Sequence, residues 1–204
     1  TFIDDLLVGA LRARHVVVGD DFRFGANRQG TVNDLRAAGA RHGFGVTEVA
    51  PVSWQGVRVS STAIREALQS GNLEGARGML GRDYSMSGRV VRGLGLGRKL
   101  GFPTANVNLQ RLKTPIDGIF AVRVSGVGPA PRDGVASIGT RPTIGGSEPL
   151  LEVLIFDFDA DIYGEYITVH FVKRLREERH FADLAAMQRQ MHVDVAAARA
   201  ALSD

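Results

Sequence analysis

The sequence predicts an α/β unit followed by an all-β antiparallel sheet or small barrel that ends in a helix. Three observations carry this prediction. In the first part of the chain, short β-branched runs alternate with stretches whose apolar residues recur at helical spacing. Beyond Gly81 the period falls to two, in segments separated by Gly, Pro and Asp. Near the end, apolar residues return to helical steps.

Taken in order, Phe2, Ile3, Leu6, Leu7 and Ala10 recur at helical spacing with no initiator Met or cap before them, so the chain is expected to be cut from within a larger protein. His15-Val16-Val17-Val18-Gly19 reads as a buried strand of a parallel sheet. A second helix is expected from Thr31, with Asp34 completing a capping box and Val32, Leu35 and Ala38 on its apolar face. Val46 to Val49 reads as another strand, followed by helices over Ser61–Gln69 and Asn72–Leu80 that glycines bound.

The period-two segments are Tyr84–Val91, Ile119–Val124, Val135–Ile138, Leu150–Phe158 and Tyr166–Val172. A last helix carries Leu184, Met187, Met191, Val195, Ala198 and Leu202 as one stripe, expected to pack on the barrel. The boundary between domains falls in residues 81–86, giving domains 1–82 and 83–204.

Composition narrows the function. Lys and Arg total 25 against 22 for Asp and Glu, and the basic residues are scattered, which suits small anionic ligands and not a nucleic-acid arm. The chain has no cysteine, which excludes a disulfide framework and thiolate metal sites and fits a reducing cytosol. No apolar run is long enough for a membrane helix and no signal segment opens the chain, so a cytoplasmic protein without membrane partners is expected. The sequence leaves the oligomeric state open.

Residues 88–106 read GRVVRGLGLGRKLGFPTAN. Gly93, Gly95, Gly97 and Gly101 make a loop whose backbone N–H groups can approach phosphate oxygens, with Arg98 or Lys99 adding charge; a mobile turn is the other reading. No Gly-Lys-Ser/Thr follows, so this is not a Walker A loop. Pro103 stiffens the chain, and Thr104 and Asn106 project to one side if it is extended. A hydroxyl and an amide oxygen are hard donors suited to Mg²⁺, or they stabilise a turn.

Glu152 lies in an apolar strand, with Leu151, Val153 and Ile155 on one face and Glu152, Leu154 and Phe156 on the other. Apolar neighbours make a carboxylate resist ionisation, which suits a general base, whereas a solvated edge position would leave it ordinary. Asp157, Asp159 and Asp161 suggest a calcium loop, but Ile162 stands where glycine is needed and Thr168 where glutamate is needed. A turn with Asp side chains bonding backbone amides is expected instead. The run from Arg174 to Arg179 is either a charged surface leading into the last helix or a ligand contact.

Together the GRVVRG–LGR–LGFPTAN stretch, Pro115–Val122, Ala136–Thr143, Leu151-Glu152-Val153 and Asp157–Gly164, in that order, resemble the riboflavin kinase family over residues 84–203. The resemblance implies a six-stranded antiparallel barrel in which ATP and riboflavin enter from opposite sides. It also implies Mg²⁺ held by Thr104 and Asn106, phosphates covered by the loop Gly93, Gly95, Gly97, Arg98 and Lys99 with Asn106, and Glu152 as catalytic base. Riboflavin, FMN and ATP are then the small-molecule partners, and the Arg174–Arg179 run becomes a candidate for flavin or phosphate contact, with Arg176 as the candidate flavin contact.

In the first domain, Val18-Gly19-Asp20-Asp21-Phe22-Arg23-Phe24-Gly25 and Ser60-Ser61-Thr62-Ala63-Ile64-Arg65 resemble the FMN adenylyltransferase module fused to bacterial riboflavin kinases, a Rossmann-like nucleotidyltransferase fold. The resemblance makes Asp20, Ser60, Ser61, Thr62 and Arg65 remnants of its nucleotide site. Hydroxyls at a helix start favour an anion, although Ser60 to Thr62 are also an ordinary N-cap. That module uses a His-x-Gly-His motif that this sequence lacks, so FMN synthesis without FAD synthesis is the expectation. Two rivals stand beside it: a non-catalytic flavin-binding or regulatory module of the same fold, and a nucleotide-binding scaffold.

Overall fold

The computed structural model describes residues 1–204 except Leu94, Ile144, Gly145 and Asp204; for Leu96, Lys99, residues 141–143 and residues 146–148 it describes the backbone alone. The chain forms two compact units, Thr1–Val59 and Ser60–Asp204.

In the first unit, β1 (His15–Gly19) pairs in parallel with β2 (Gly45–Val49), and α1 (Val32–His42) connects them. The expected capping box is present. Thr31 Oγ1 accepts from the Asp34 N–H and the Asp34 carboxylate accepts from the Thr31 N–H. Leu7, Val18, Val32 and Leu35 form its core, with Phe2, Phe22 and Phe24 clustered beside them. Phe2–Ala10 is a π-helix where regular helical spacing was expected: the Leu11 N–H bonds the Leu6 carbonyl, five residues back. The wider turn buries only Leu7 within this helix. The hairpin of β3 (Ser53–Trp54) and β4 (Val57–Arg58) is too short to show periodicity in sequence.

The second unit is built on a closed antiparallel barrel. Its strands are β5 (Tyr84–Val91), β6 (Ala105–Asn108), β7 (Gly118–Ser125), β8 (Arg132–Thr143), β9 (Gly146–Ile155) and β10 (Tyr166–Arg176), in the spatial order β10-β5-β6-β9-β8-β7. Met86, Phe120, Val122, Leu151, Val153 and Phe171 point inward and fill it. Outside, α5 (Leu184–Leu202) packs through Ala198 and Leu202 against Ala121 and Phe156. Among the described residues no helix is long and apolar enough to cross a membrane.

Several elements differ from expectation. β8 continues past Ile138 because cross-strand bonds to β9 carry Gly139 and Pro142, residues that break a strand pattern in sequence. β10 runs four residues past Val172 to Arg176 through register shifts between Phe171 and Lys173 and between Arg174 and Arg176. Bulges of this kind destroy the period of two that marks a strand. β9 stops at Ile155, and Asp157 turns the chain at φ 53°. The short strand β6 went unseen as a period-two segment, and a turn of helix, α4 (Leu96–Lys99), sits inside the glycine-rich loop. Leu184 is 62% exposed, so the packing stripe of α5 begins only after it.

The helices α2 (Ser61–Gln69) and α3 (Leu73–Leu80) also belong to this unit. Leu68, Leu73 and Ala76 join the barrel's core cluster. The compact division therefore falls ahead of these helices, whereas the change of sequence period after residue 82 falls behind them. Burial, which decides what packs with what, is invisible to a change of period.

Candidate active site

Thr104 immediately precedes β6, and Asn106 lies on that strand's outer face, because its neighbours Ala105 and Val107 pair with the inward-facing Val153 and Leu151. Asn106 stands opposite Glu152 on β9, and Glu152 stands opposite Ser137 on β8. Directly opposed residues of an antiparallel pair share a face. An amide, a carboxylate and a hydroxyl thus form one row across three strands on the outside of a barrel whose inside is wholly apolar at these positions.

The glycine-rich loop lies on this row. A Cβ placed on Gly93 would fall 2.3 Å from Asn106 Nδ2, and one on Gly97 would fall 2.4 Å from the Phe102 carbonyl oxygen and 3.1 Å from Thr104 Oγ1. Asn106 is 7% exposed and has little room to yield, and glycine is what lets the loop backbone approach so closely.

Cavities open on two sides of Thr104. One, of about 430 Å³, lies between the outer face of the barrel and α5; it is lined by Thr104, Ser137, Glu152, Leu154, Met187 and Met191 among others. On the other side, a cavity of about 440 Å³ is bordered by Arg92, Arg98, Thr104, Ala105 and Tyr163. A smaller one of about 210 Å³ lies between Gly93, Gly95, Arg98, Thr104 and Asn106. The first has the more apolar walls, although Arg176 and Arg179 border it too. The second carries Arg92 and Arg98 together with Asp159 and Asp161, and the third sets Arg92 and Arg98 beside glycine backbone, features that can attract phosphate.

Arg176 also lines the first cavity, where its guanidinium is held by Asp194, another of the lining residues. Nε and Nη2 donate to the two oxygens of Asp194 on α5 at 2.8 and 2.7 Å, and Nη1 donates to the Glu177 carbonyl at 2.8 Å. Asp194, 6% exposed, accepts a further bond from Gln190. The pair fixes α5 to the end of β10. Of the other charged residues in this run, Arg174 bonds Asp117 at 3.1 Å, and Glu178 accepts from Ser137 at 3.2 Å.

The loop after β9 is pinned at several points. Asp157 takes a bidentate bond from Arg199 on α5, at 2.8 and 3.0 Å, and this holds its carboxyl below the ordinary value of 3.8. Asp161 accepts from the Tyr163 N–H at 3.0 Å, as expected of an Asp turn. Tyr163 is thereby held under the Arg92 guanidinium, 4.4 Å from its ring centroid.

Of the residues singled out in the sequence, the structure brings together Gly93, Gly95, Gly97, Arg98, Thr104, Asn106 and Glu152. The side chain of Lys99 lies outside the described residues. Asp20 belongs to the first unit, where Arg58 Nη2 bonds it at 2.6 Å. Ser60, Ser61, Thr62 and Arg65 belong to the second, where the Ser60 hydroxyl caps α2 by accepting from the Ala63 N–H at 3.1 Å. Sequence reasoning missed Tyr163, Arg92, Met187 and Met191 as lining residues. The first two lie in quoted motifs; the methionines were read only as packing, since a helix stripe does not say what it faces.

The riboflavin kinase family model matches residues 80–202 and the FAD synthetase model residues 1–63. A bifunctional riboflavin kinase/FMN adenylyltransferase of Escherichia coli (strain K12) is 48% identical over 97% of this chain, and the chain spans 63% of that relative's length. A protein of the same description from Pseudomonas fluorescens is 44% identical over 98% of the chain and 64% of its own length. A crystal structure described as a macrolide-efflux protein from Streptococcus pneumoniae has a TM-score of 0.77 at 34% identity, covering 97% of this chain and 64% of that one.

Proposed function

Because the chain belongs to the riboflavin kinase family through residues 80–202, we propose that its barrel unit transfers the γ-phosphate of ATP to the 5′-hydroxyl of riboflavin, giving FMN and ADP. The observation that carries this reading is the position of Thr104, which borders both the apolar cavity that holds Glu152 and the guanidinium-lined cavities on the other side. An isoalloxazine ring fits against Met187, Met191 and Leu154, which points its ribityl chain to Glu152 and Thr104. In this reading the triphosphate lies over Gly93 and Gly95 with Arg92 and Arg98 beside it, residues that border the smaller cavity.

Thr104 and Asn106 offer two hard oxygens on one face, with glycine backbone pressed against both, a donor set and a cradle that fit Mg²⁺. Mg²⁺ bound there would neutralise charge on the phosphates. The chain's own residues do the rest. Glu152 takes the proton of the 5′-hydroxyl as that oxygen bonds to the γ-phosphorus, and the bond from phosphorus to the bridging oxygen of ADP breaks in line. Positioning supplies most of the acceleration.

The match of residues 1–63 to FAD synthetase supports extending the reading to a longer bifunctional protein. In it a Rossmann-like nucleotidyltransferase domain, with Asp20, Ser60, Ser61, Thr62 and Arg65, carries FMN on to FAD. A cytoplasmic location suits both substrates. Incubating the chain with riboflavin, ATP and Mg²⁺ and separating flavins by chromatography tests the kinase reading; FMN is expected, and riboflavin left unchanged rejects it.

A further inference from the structure

The helix α5 reaches the nucleotide side of the site as well as the apolar cavity. Gln188 Nε2 donates to the Leu100 carbonyl at 3.1 Å. One turn on, the His192 imidazole meets the Phe102 ring edge to face, with centroids 4.8 Å apart. Phe102 is 7% exposed, while Gln188 and His192 lie on the open side of the helix. Leu100 and Phe102 close a tight turn: the Leu100 N–H bonds the Gly97 carbonyl at 3.0 Å and the Phe102 N–H bonds the same oxygen at 2.8 Å. Arg98 sits within that turn, and Thr104 follows it.

We propose that Gln188 and His192 are positioning residues for the nucleotide, holding the turn from Gly97 to Phe102 so that Arg98 and the Thr104 hydroxyl stand at the phosphate cavity. The inference rests on the riboflavin kinase reading. Neither side chain is among those lining the cavities beside Thr104, so both act through the turn. A glycine-rich segment loses much backbone freedom when a ligand orders it, and ordering it beforehand lowers that cost. The anchor is itself rigid: α5 is fixed to the barrel by the Arg176–Asp194 pair and by the buried Ala198 and Leu202.

The test is steady-state kinetics of Gln188→Leu, Gln188→Lys and His192→Ala, with riboflavin binding measured separately by quenching of flavin fluorescence. Loss of one hydrogen bond predicts a KM for Mg·ATP raised about two- to tenfold in Gln188→Leu. Gln188→Lys keeps a donor of sufficient reach and is expected to restore the wild-type KM. His192→Ala should move KM in the same direction. Riboflavin affinity should hold in both Gln188 variants, whereas Phe102 also lines the apolar cavity, so His192→Ala is read by KM for Mg·ATP alone. Melting temperature should hold in all three. A KM for Mg·ATP unchanged in both Gln188→Leu and His192→Ala overturns the inference, as does a riboflavin affinity that falls in step with KM in Gln188→Leu. Wild-type chain that forms no FMN would overturn the kinase reading first and this inference with it.

Discussion

Asn106 and Glu152 face each other across the ladder between β6 and β9, so an amide suited to a metal and a carboxylate suited to a proton are spaced by backbone hydrogen bonds. Strands hold such a pair more firmly than loops do. The glycine-rich loop is laid over this pair at Gly93 and against Thr104 at Gly97.

Glu152→Gln keeps the size of the side chain and removes its basicity. Turnover is expected to fall by roughly 10²–10⁴, the usual contribution of a general base, with a smaller change in riboflavin affinity. Fluorescence binding beside the kinase assay separates the two, and turnover within a few-fold of wild type in a folded variant would make Glu152 structural.

Thr104→Ala removes one hard oxygen from the edge shared by the cavities. FMN formation should drop sharply and demand more Mg²⁺, while melting is little changed because Thr104 lies outside the core cluster. Titrating activity against Mg²⁺ checks this; a wild-type Mg²⁺ curve would reject Thr104 as a ligand.

Gly93→Ala puts a methyl group 2.3 Å from Asn106 Nδ2, so either the loop or the amide must shift. The expected outcome is a raised KM for Mg·ATP with riboflavin binding preserved. Unaltered kinetics for both substrates would show that the close approach does not matter.

This close approach also marks where the sequence could be read and where it could not. The GFPTAN hexad and Glu152 are legible as family pattern; in the structure Asn106 stands opposite Glu152, and Thr104 and Asn106 border one cavity. Arg176 lines the apolar cavity and is paired there with Asp194, 18 residues away on α5, a partner that a charge run does not reveal. β6 escaped because four residues, two of them Asn, give no legible alternation. The anchoring of the loop by Gln188 spans 88 residues and has no local signature.

Asp194→Ala leaves the Arg176 guanidinium without its bidentate partner in a largely buried place. Breaking such a pair costs about 2–4 kcal/mol, towards the lower end because the arginine side chain keeps 21% exposure. Chemical denaturation should show the loss, and a variant as stable as wild type would mean that α5 docks by apolar contact alone.

Asp157 titrates below 3.8 when folded because Arg199 bonds it. A depressed carboxyl stabilises the fold above its unfolded value, and that contribution is lost as pH falls through the folded value. Wild type should therefore melt higher than Asp157→Asn near neutrality, with the difference shrinking below about pH 4. A difference independent of pH would assign the effect to something other than the ion pair.

The central claim is phosphoryl transfer between the two sides of Thr104, and following label from [γ-³²P]ATP tests it most directly. With riboflavin and Mg²⁺ present, the account predicts label in FMN equal in amount to the ADP formed, and almost none with Glu152→Gln. Label released only as inorganic phosphate, or FMN formation that Glu152→Gln leaves intact, would contradict it.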